Sequence, residues 1–207
     1  MGKFSRRHFL CSGLALAASI KGGATLAEMM PRGRRRRVVV VGGGWGGLTA
    51  ARHLRELAPD LEVVLVEKNA AFRSLPLSNK WLVGLAAQAG RGRDFATLAR
   101  EHGYSFVQAE VIAVDRDGRR VVTGGGTLEY DWLVLAAGIR HDYAPWFGDD
   151  SRAAGYAGKF YPAGFIGDEL DAVKLKLAEF KDGDFVMTIP PGPYRCTPAP
   201  YERAVMI

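Results

Sequence analysis

A glycine-rich stretch directly after a run of valines constrains this chain more than any other feature. The pattern of Arg37–Val41 predicts a buried strand, and Gly42, Gly44 and Gly47 follow it in the spacing G-x-G-x-x-G. Gly42 allows a sharp turn, Gly44 presents no Cβ to an approaching phosphate, and Gly47 lets the next helix pack closely on the strand. The stretch therefore predicts a site where helix N–H groups bind a pyrophosphate.

The residues around this turn complete a β-α-β unit. Leu48–Leu57 has the apolar spacing of an amphipathic helix, and Leu61–Val66 has the composition of a second buried strand. Glu67 follows about 20 residues after the last glycine, where the motif expects an acid that binds a ribose hydroxyl. The alternative is a doubly wound domain without a nucleotide, in which the glycines serve only a tight connection.

A second apolar strand favours FAD over NAD as the dinucleotide. Tyr130–Gly138 is a hydrophobic segment that ends in Ala137 and Gly138. It resembles the second flavin-contacting motif of flavoproteins with two dinucleotide-binding domains. We therefore expect this strand to end beside the pyrophosphate.

The remaining pattern predicts how the chain is organised around that unit. Residues 104–114 indicate a strand, with 119–123 and 128–130 as antiparallel partners. The expected fold class is α/β: a Rossmann-like FAD-binding domain with an inserted antiparallel β-meander, in a truncated two-dinucleotide-binding-domain flavoprotein architecture. Further predictions are an irregular segment at 138–167, an amphipathic helix at 168–180 and a strand at 185–189.

The first residues predict export. Arg6 and Arg7 precede a short apolar segment rich in Ala, Gly and Ser, which is typical of a Tat-type signal peptide at 1–27. We expect the FAD-binding domain at 34–150, and a connector with the start of a second, incomplete dinucleotide-binding-like domain at 151–207. The predicted location is the periplasm, and the alternative is a plain N-terminal helix with chance arginines.

The formal net charge of +6 does not indicate a nucleic-acid partner. Much of it lies in the export segment and in Arg32 with Arg34–Arg37, which we interpret as a solvated, flexible arm because no aromatic residues interleave it. His53, His102 and His141 lack the spacing of metal ligands and are interpreted as surface residues. We expect neither nucleic-acid binding nor a metal site.

The most specific stretch of the chain is Pro190–Ala204, with the sequence P-P-G-P-Y-R-C-T-P-A-P-Y-E-R-A. With the glycine turn, Leu77–Asn79 and Tyr130–Gly138, it resembles the flavoprotein subunit of flavocytochrome c sulfide dehydrogenase and, more distantly, sulfide:quinone oxidoreductases. The resemblance runs from Arg34 to the end and covers about the first half of a family member. It implies an exported FAD enzyme that oxidises sulfide at a redox disulfide and passes electrons to a c-type cytochrome subunit or a quinone.

The resemblance also assigns a role to Cys196, as one half of that disulfide. Its partner cysteine is expected in a C-terminal half that this sequence lacks, and Arg195 would favour the thiolate. Members of the flavocytochrome group hold the flavin by a thioether just ahead of Leu77, but Arg73–Pro76 contains no cysteine. We therefore expect noncovalent FAD. The alternatives are a buried, structural Cys196, and Arg195 with Glu202 as an exposed pair or as charges at the start of a helix.

These inferences define the candidate site and the candidate functions. Cys196 is the candidate redox sulfur for a small sulfur substrate. Two other functions stay open: another pyridine-nucleotide:disulfide-type FAD oxidoreductase, or a truncated, catalytically silent FAD-binding remnant. The candidate cofactor-binding residues are Gly42, Gly44, Trp45, Gly46, Gly47, Glu67, Lys68, Ser78, Asn79, Val111, Ala137 and Gly138.

Overall fold

The run Arg37–Val41 is an inner strand of a parallel sheet in the computed structural model of the protein. The structure describes residues 28–86, 92–189 and 196–207. They fall into two units: unit 1 holds the described residues up to Phe72 with Arg93–Gly138, and unit 2 holds those of Arg73–Gly92 and Ile139–Ile207. The predicted signal peptide lies outside the described residues, and the domain bounds predicted from the sequence stay a prediction.

Strands dominate unit 1 and helices dominate unit 2. In the described residues, no helix is both long and apolar enough to cross a membrane. In chain order the elements are β1 (Arg37–Val41), α1 (Trp45–Leu57), β2 (Glu62–Glu67), a 3₁₀ turn (Leu75–Leu77), α2 (Ser78–Leu82), α3 (Phe95–His102), β3 (Ser105–Gln108), β4 (Val111–Asp115), β5 (Arg120–Thr123), β6 (Gly126–Glu129), β7 (Trp132–Leu135), α4 (Ala144–Phe147), α5 (Ser151–Phe160), α6 (Gly167–Glu179) and α7 (Ala199–Met206).

The parallel sheet of unit 1 has the strand order β3-β2-β1-β7. Val39 pairs with Val64 on one side and Leu133 on the other. Val39 and Val40 expose no surface, as expected for a strand covered on both faces. Helix α1 connects β1 to β2, and its Ala51 is fully buried in the core cluster on one face of the sheet. The predicted β-α-β unit and α/β fold class are confirmed.

The inserted meander is also confirmed, but it begins later than predicted. Strands β4, β5 and β6 form an antiparallel sheet between β3 and β7 in the sequence. The single strand predicted at 104–114 is wrong, because β3 joins the parallel sheet and β4 starts the meander. Hydrophobic alternation continues through both strands, so the pattern could not show where the chain leaves one sheet for the other.

Unit 2 differs from its prediction at two segments. The segment predicted as irregular, 138–167, contains helices α4 and α5; Asp150 caps α5 by accepting a hydrogen bond from the Ala153 amide. The strand predicted at 185–189 is wrong: these residues have no regular structure, and Phe185 and Val186 are exposed. A β-branched run needs a partner strand for its backbone, which composition alone cannot supply. The helix predicted at 168–180 is confirmed as α6.

The sequence predicted that Arg37 belongs to a solvated arm, and for this residue the prediction is wrong. Its side chain is fully buried, with Nε 2.9 Å from Glu62 Oε2 and Nη2 3.2 Å from Glu62 Oε1. Its guanidinium also donates to the carbonyl oxygens of Met30 and Pro31. A buried guanidinium is stable only when paired, and these acceptors pair it. Arg37 therefore fastens the chain before β1 to the sheet.

Candidate functional site

The turn after β1 requires glycine at its first and last motif positions. Gly42 has a φ of +103°, and a Cβ there would lie 2.3 Å from the carbonyl oxygen of Ala136. A Cβ on Gly47 would lie 1.8 Å from the carbonyl oxygen of Gly42. Both distances are far below van der Waals contact, so only glycine allows α1 to start this close to the sheet.

The same turn is open at Gly44 and Gly46. Gly44 is exposed, and a Cβ there would have no atom within 4 Å; at Gly46 the nearest atom is Ala136 Cβ at 3.9 Å. Gly44 is also the N-cap of α1, with no side-chain cap and no acidic residue in the first turn. The first N–H groups of a helix have no partner within the helix. This end of α1 therefore suits an anion that approaches the backbone closely.

The carboxylate of Glu67 lies beside the turn, as the motif predicts. Its Oε2 accepts a hydrogen bond from the Gly43 amide at 2.8 Å, and its Oε1 accepts from the Asn69 amide at 2.9 Å. These two donors fix the orientation of a half-buried acid at the end of β2. Lys68, the next residue, is exposed. Both carboxylate oxygens of Glu67 are therefore oriented by backbone amides beside the glycine turn.

The segment after β7 closes on the same turn. The amide of Ala136 donates to Val41 O at 2.8 Å, and Ala137 Cα would lie 3.1 Å from a Cβ on Gly42. Gly138 has a φ of +77° and open space where a Cβ would be. The structure therefore brings the predicted second contact segment to the glycine turn.

Trp45 and Val111 occupy other places in unit 1. Trp45 is 60% exposed in the first turn of α1, and its ring packs edge-on against Phe72 with centroids 5.2 Å apart. Val111 begins β4 and packs against the buried cluster on the other face of the sheet, which includes Val39 and Val41. Its side chain is therefore engaged in the core, and a role for it in cofactor binding stays a prediction.

Ser78 and Asn79 belong to unit 2, where both are buried. Asn79 Nδ2 donates to Glu202 Oε2 at 2.8 Å, and Asn79 Oδ1 accepts from Arg203 Nε at 2.9 Å. Both polar ends of this amide are therefore bound inside the unit. Glu202 contacts Asn79, and Arg195, its suggested partner, lies outside the described residues.

Cys196 is exposed, which argues against a buried, structural role for this residue. Its carbonyl oxygen accepts a hydrogen bond from the Ala199 amide at 3.3 Å, at the start of α7. The thiol is free in the described part of unit 2. The side chain is therefore accessible to a small reagent.

His141 is not a surface residue, contrary to the sequence interpretation. Its Nδ1 lies 2.6 Å from Glu169 Oε2, and its side chain is 16% exposed. The same Oε2 accepts from the Tyr143 hydroxyl at 3.0 Å. Burial raises the pKa of Tyr143 to about 12, against the effect of the hydrogen bond that its oxygen accepts from the Ala163 amide. This cluster was missed because Glu169 lies more than 20 residues from His141 and Tyr143 in the sequence. His53 is exposed, as predicted, and His102 is half-buried.

Comparison with known families agrees with this geometry. The profile of the pyridine nucleotide-disulphide oxidoreductase family matches residues 36–161, a range that contains the glycine turn, Glu67 and the meander. The chain belongs to the pyridine nucleotide-disulphide oxidoreductase family. A second profile, for the central part of the flavoprotein chain of sulfide dehydrogenase [flavocytochrome c], matches residues 171–207. The resemblance inferred from the residues is thereby confirmed.

Two curated relatives match parts of the chain. A sulfide-quinone reductase of Aquifex aeolicus is 33% identical over 94 residues, which are 45% of this chain and 22% of the relative. An NADH dehydrogenase-like protein of Mycobacterium tuberculosis is 39% identical over 97 residues, which are 45% of this chain and 23% of the relative. The matches thus span less than a quarter of the length of these two relatives.

Solved structures show the same fold. The sulfide:quinone oxidoreductase of Aquifex aeolicus superposes with a TM-score of 0.54 and 26% identity, over 70% of this chain and 32% of that chain. Bacillus anthracis CoADR-RHD superposes with a TM-score of 0.51 at 19% identity, over 72% of this chain and 28% of that chain, which shows the fold alone. The pyridine nucleotide-disulphide oxidoreductase fold is therefore supported by profile and structure alike.

Proposed function

We propose that unit 1 binds FAD at the glycine turn. The observation that carries this proposal is the uncapped start of α1 at Gly44, with space for a phosphate and the Glu67 carboxylate alongside. The N–H groups of α1 would neutralise the pyrophosphate, and Glu67 would accept a hydrogen bond from the adenosine ribose. The remaining candidate residues of unit 1, including Lys68 and Val111, stay part of the proposed binding set, and a role for Ser78 and Asn79 of unit 2 stays a prediction from the sequence.

FAD would be held without a covalent bond. The segment Arg73–Pro76 carries no cysteine that could form a thioether. Acid denaturation of the purified protein should therefore release all of its flavin into the supernatant. Flavin that stays with the precipitated polypeptide would contradict this part of the proposal.

We further propose that the full-length protein oxidises sulfide, or a related sulfur compound, at Cys196. Support comes from the match to the sulfide dehydrogenase flavoprotein chain and from the exposure of this thiol. With Cys196 in a disulfide, hydrosulfide would form a new S–S bond to one sulfur and release the other cysteine as a thiolate. FAD supplies the acceptor for the two electrons that the sulfur loses, and a c-type cytochrome or a quinone would take them onward.

Anaerobic titration of the full-length gene product with sulfide tests this function. The wild type should lose its oxidised-flavin absorbance, whereas Cys196→Ser should bind FAD equally well and keep that absorbance. Wild-type protein that binds FAD but is not bleached by sulfide would refute the sulfide proposal and leave the FAD proposal intact.

A second candidate function is oxidation of a reduced pyridine nucleotide. The 39% identity to an NADH dehydrogenase-like protein favours it. NADH would then bleach the flavin in both the wild type and Cys196→Ser, and sulfide would bleach neither. The same anaerobic titration therefore separates the two functions.

We also propose export to the periplasm by the Tat pathway, on the basis of Arg6 and Arg7 before the apolar segment. Replacing both by lysine should leave the protein in the cytoplasm. Cell fractionation with an antibody detects this, and unchanged export of the double variant would contradict the proposal.

A further inference from the structure

Arg203 is unusual in unit 2 because its cationic side chain is buried. The helix that carries it starts just after Cys196. Arg203 lies in α7 and is 6% exposed. Its Nε donates to Asn79 Oδ1 at 2.9 Å, Nη2 donates to Gly164 O at 2.9 Å, and Nη1 donates to Ala163 O. Burial lowers the pKa of Arg203 to about 10, and the group nevertheless remains a cation at neutral pH.

The backbone that accepts these hydrogen bonds is itself fixed. The Ala163 amide donates to the Tyr143 hydroxyl at 2.8 Å, and the Gly164 amide donates to Glu169 Oε2 at 3.2 Å. The amides of Ala163 and Gly164 are thus bound by Tyr143 and Glu169, while the carbonyl oxygens of the same two residues accept hydrogen bonds from Arg203. The guanidinium therefore binds backbone whose own amides are hydrogen-bonded to side chains of unit 2.

An aromatic ring completes the guanidinium site. Phe165 lies under Arg203, with the guanidinium carbon 3.6 Å from the ring centroid. This distance is well inside the range of a cation–π interaction, which is stronger when the cation is desolvated. The guanidinium is flat, so it can stack on a ring with one face while the N–H groups at its edge donate to several acceptors. A lysine ammonium is not planar and cannot make both kinds of contact in this arrangement.

The opposite side of Arg203 fixes the rotation of α7. Asn79 from α2 accepts from Arg203 and donates to Glu202, so one amide binds two successive residues of the helix. Successive residues project about 100° apart around a helix axis. Binding both therefore restrains rotation of α7 about its axis as well as its distance from α2.

Cys196 is linked to the start of this restrained helix. The Ala199 amide, at the first residue of α7, donates to the Cys196 carbonyl oxygen. We propose that Arg203 is a positioning residue for Cys196. By fixing α7 against α2 and the backbone of residues 163–165, Arg203 determines the position of the Cys196 thiol. This inference rests on the proposed function of Cys196 as the redox sulfur.

The test compares Arg203→Lys with the wild type in full-length, FAD-loaded protein. Lysine keeps the charge but cannot serve three acceptors and a ring together, so α7 should shift. A misplacement of about 1 Å can lower a rate about 100-fold, and we expect flavin reduction per bound FAD at saturating sulfide to fall about 10- to 100-fold. Affinity for FAD should not change. Arg152→Lys, at an exposed arginine of α5, is the matched control and should reduce its flavin at the wild-type rate.

A milder variant covers the case in which Arg203→Lys does not fold. Phe165→Leu removes the ring under the guanidinium and keeps the hydrogen-bond acceptors, so it should lower the same rate by a smaller factor. A merely structural role would lower the melting temperature of these variants and leave the rate per bound FAD unchanged. Arg203→Lys or Phe165→Leu with a wild-type rate would overturn the positioning role.

Two measurements are independent of sulfide chemistry and separate failure of this inference from failure of the proposed function. Backbone amide exchange in the peptide that covers residues 196–206 should be faster in Arg203→Lys than in the wild type. After reduction of the Cys196 disulfide, the rate at which N-ethylmaleimide alkylates Cys196, followed by mass spectrometry of its peptide, should differ between Arg203→Lys and the wild type. If wild-type protein is not bleached by sulfide, the proposed function fails, and unchanged exchange with unchanged alkylation would then also overturn the positioning role.

Discussion

Substitution of Gly44 by alanine should separate dinucleotide binding from folding. A Cβ at this position meets no atom within 4 Å, and the φ of −71° is one that alanine adopts without strain. An N-cap glycine replaced by alanine costs the helix at most about 1 kcal/mol. The folded protein should therefore tolerate Gly44→Ala.

The cost should appear when FAD binds. The new methyl group would occupy the space through which a phosphate approaches the amides of α1. Loss of one hydrogen bond to a charged group costs about 1.5–3 kcal/mol. Since about 1.4 kcal/mol corresponds to a factor of ten, FAD should bind about 10- to 150-fold more weakly.

The assay is a fluorescence titration of FAD-stripped, full-length protein with FAD, alongside urea unfolding of the same samples. Gly33→Ala is the matched control, because a Cβ on Gly33 in unit 1 also meets no atom within 4 Å. This control should bind FAD as the wild type does. Wild-type affinity in Gly44→Ala, with its fold intact, would show that no phosphate approaches this residue and would refute the argument.

Further substitutions test other contacts. Gly47→Ala should destabilise the apoprotein itself by about 1–3 kcal/mol or more, since its Cβ would lie 1.8 Å from Gly42 O; urea unfolding measures this, and wild-type stability would contradict it. Arg37→Met should lower the free energy of unfolding by about 3 kcal/mol. This is the lower end of the range for a broken buried ion pair, because Glu62 is partly solvated. A loss below about 1 kcal/mol, which is typical of a surface ion pair, would contradict this prediction. The raised pKa of Tyr143 means that folding favours its neutral form. The resulting contribution to the free energy of unfolding is complete below about pH 10 and is lost as the pH rises to about 12. Thermal melts across that range should show a smaller pH dependence in Tyr143→Phe, and identical profiles would contradict this.

The glycine turn could be predicted from the sequence because its requirements are local. Strand, turn and helix follow one another within about 20 residues, and each is specified by backbone geometry: a β-branched run, positions without a Cβ and a helical apolar period. The same locality placed Glu67 at the end of β2, where the structure has it. The family-specific stretch around Cys196 likewise required only neighbouring residues.

Only the tertiary structure decided which residues meet. Asn79 and Arg203 are separated by 124 positions, and Arg37 and Glu62 by 25, so no periodicity links them. The alternation that predicted one strand at 104–114 was real, but the choice of partner divided it between two sheets. Arg37 and Arg203 are charged residues that a sequence alone would place at the surface. In the structure both are buried, and their hydrogen bonds hold the chain before β1 and helix α7 in place. Local backbone preference is encoded in neighbouring residues, whereas the partner of a buried charge is set by contacts that exist only after the chain has folded.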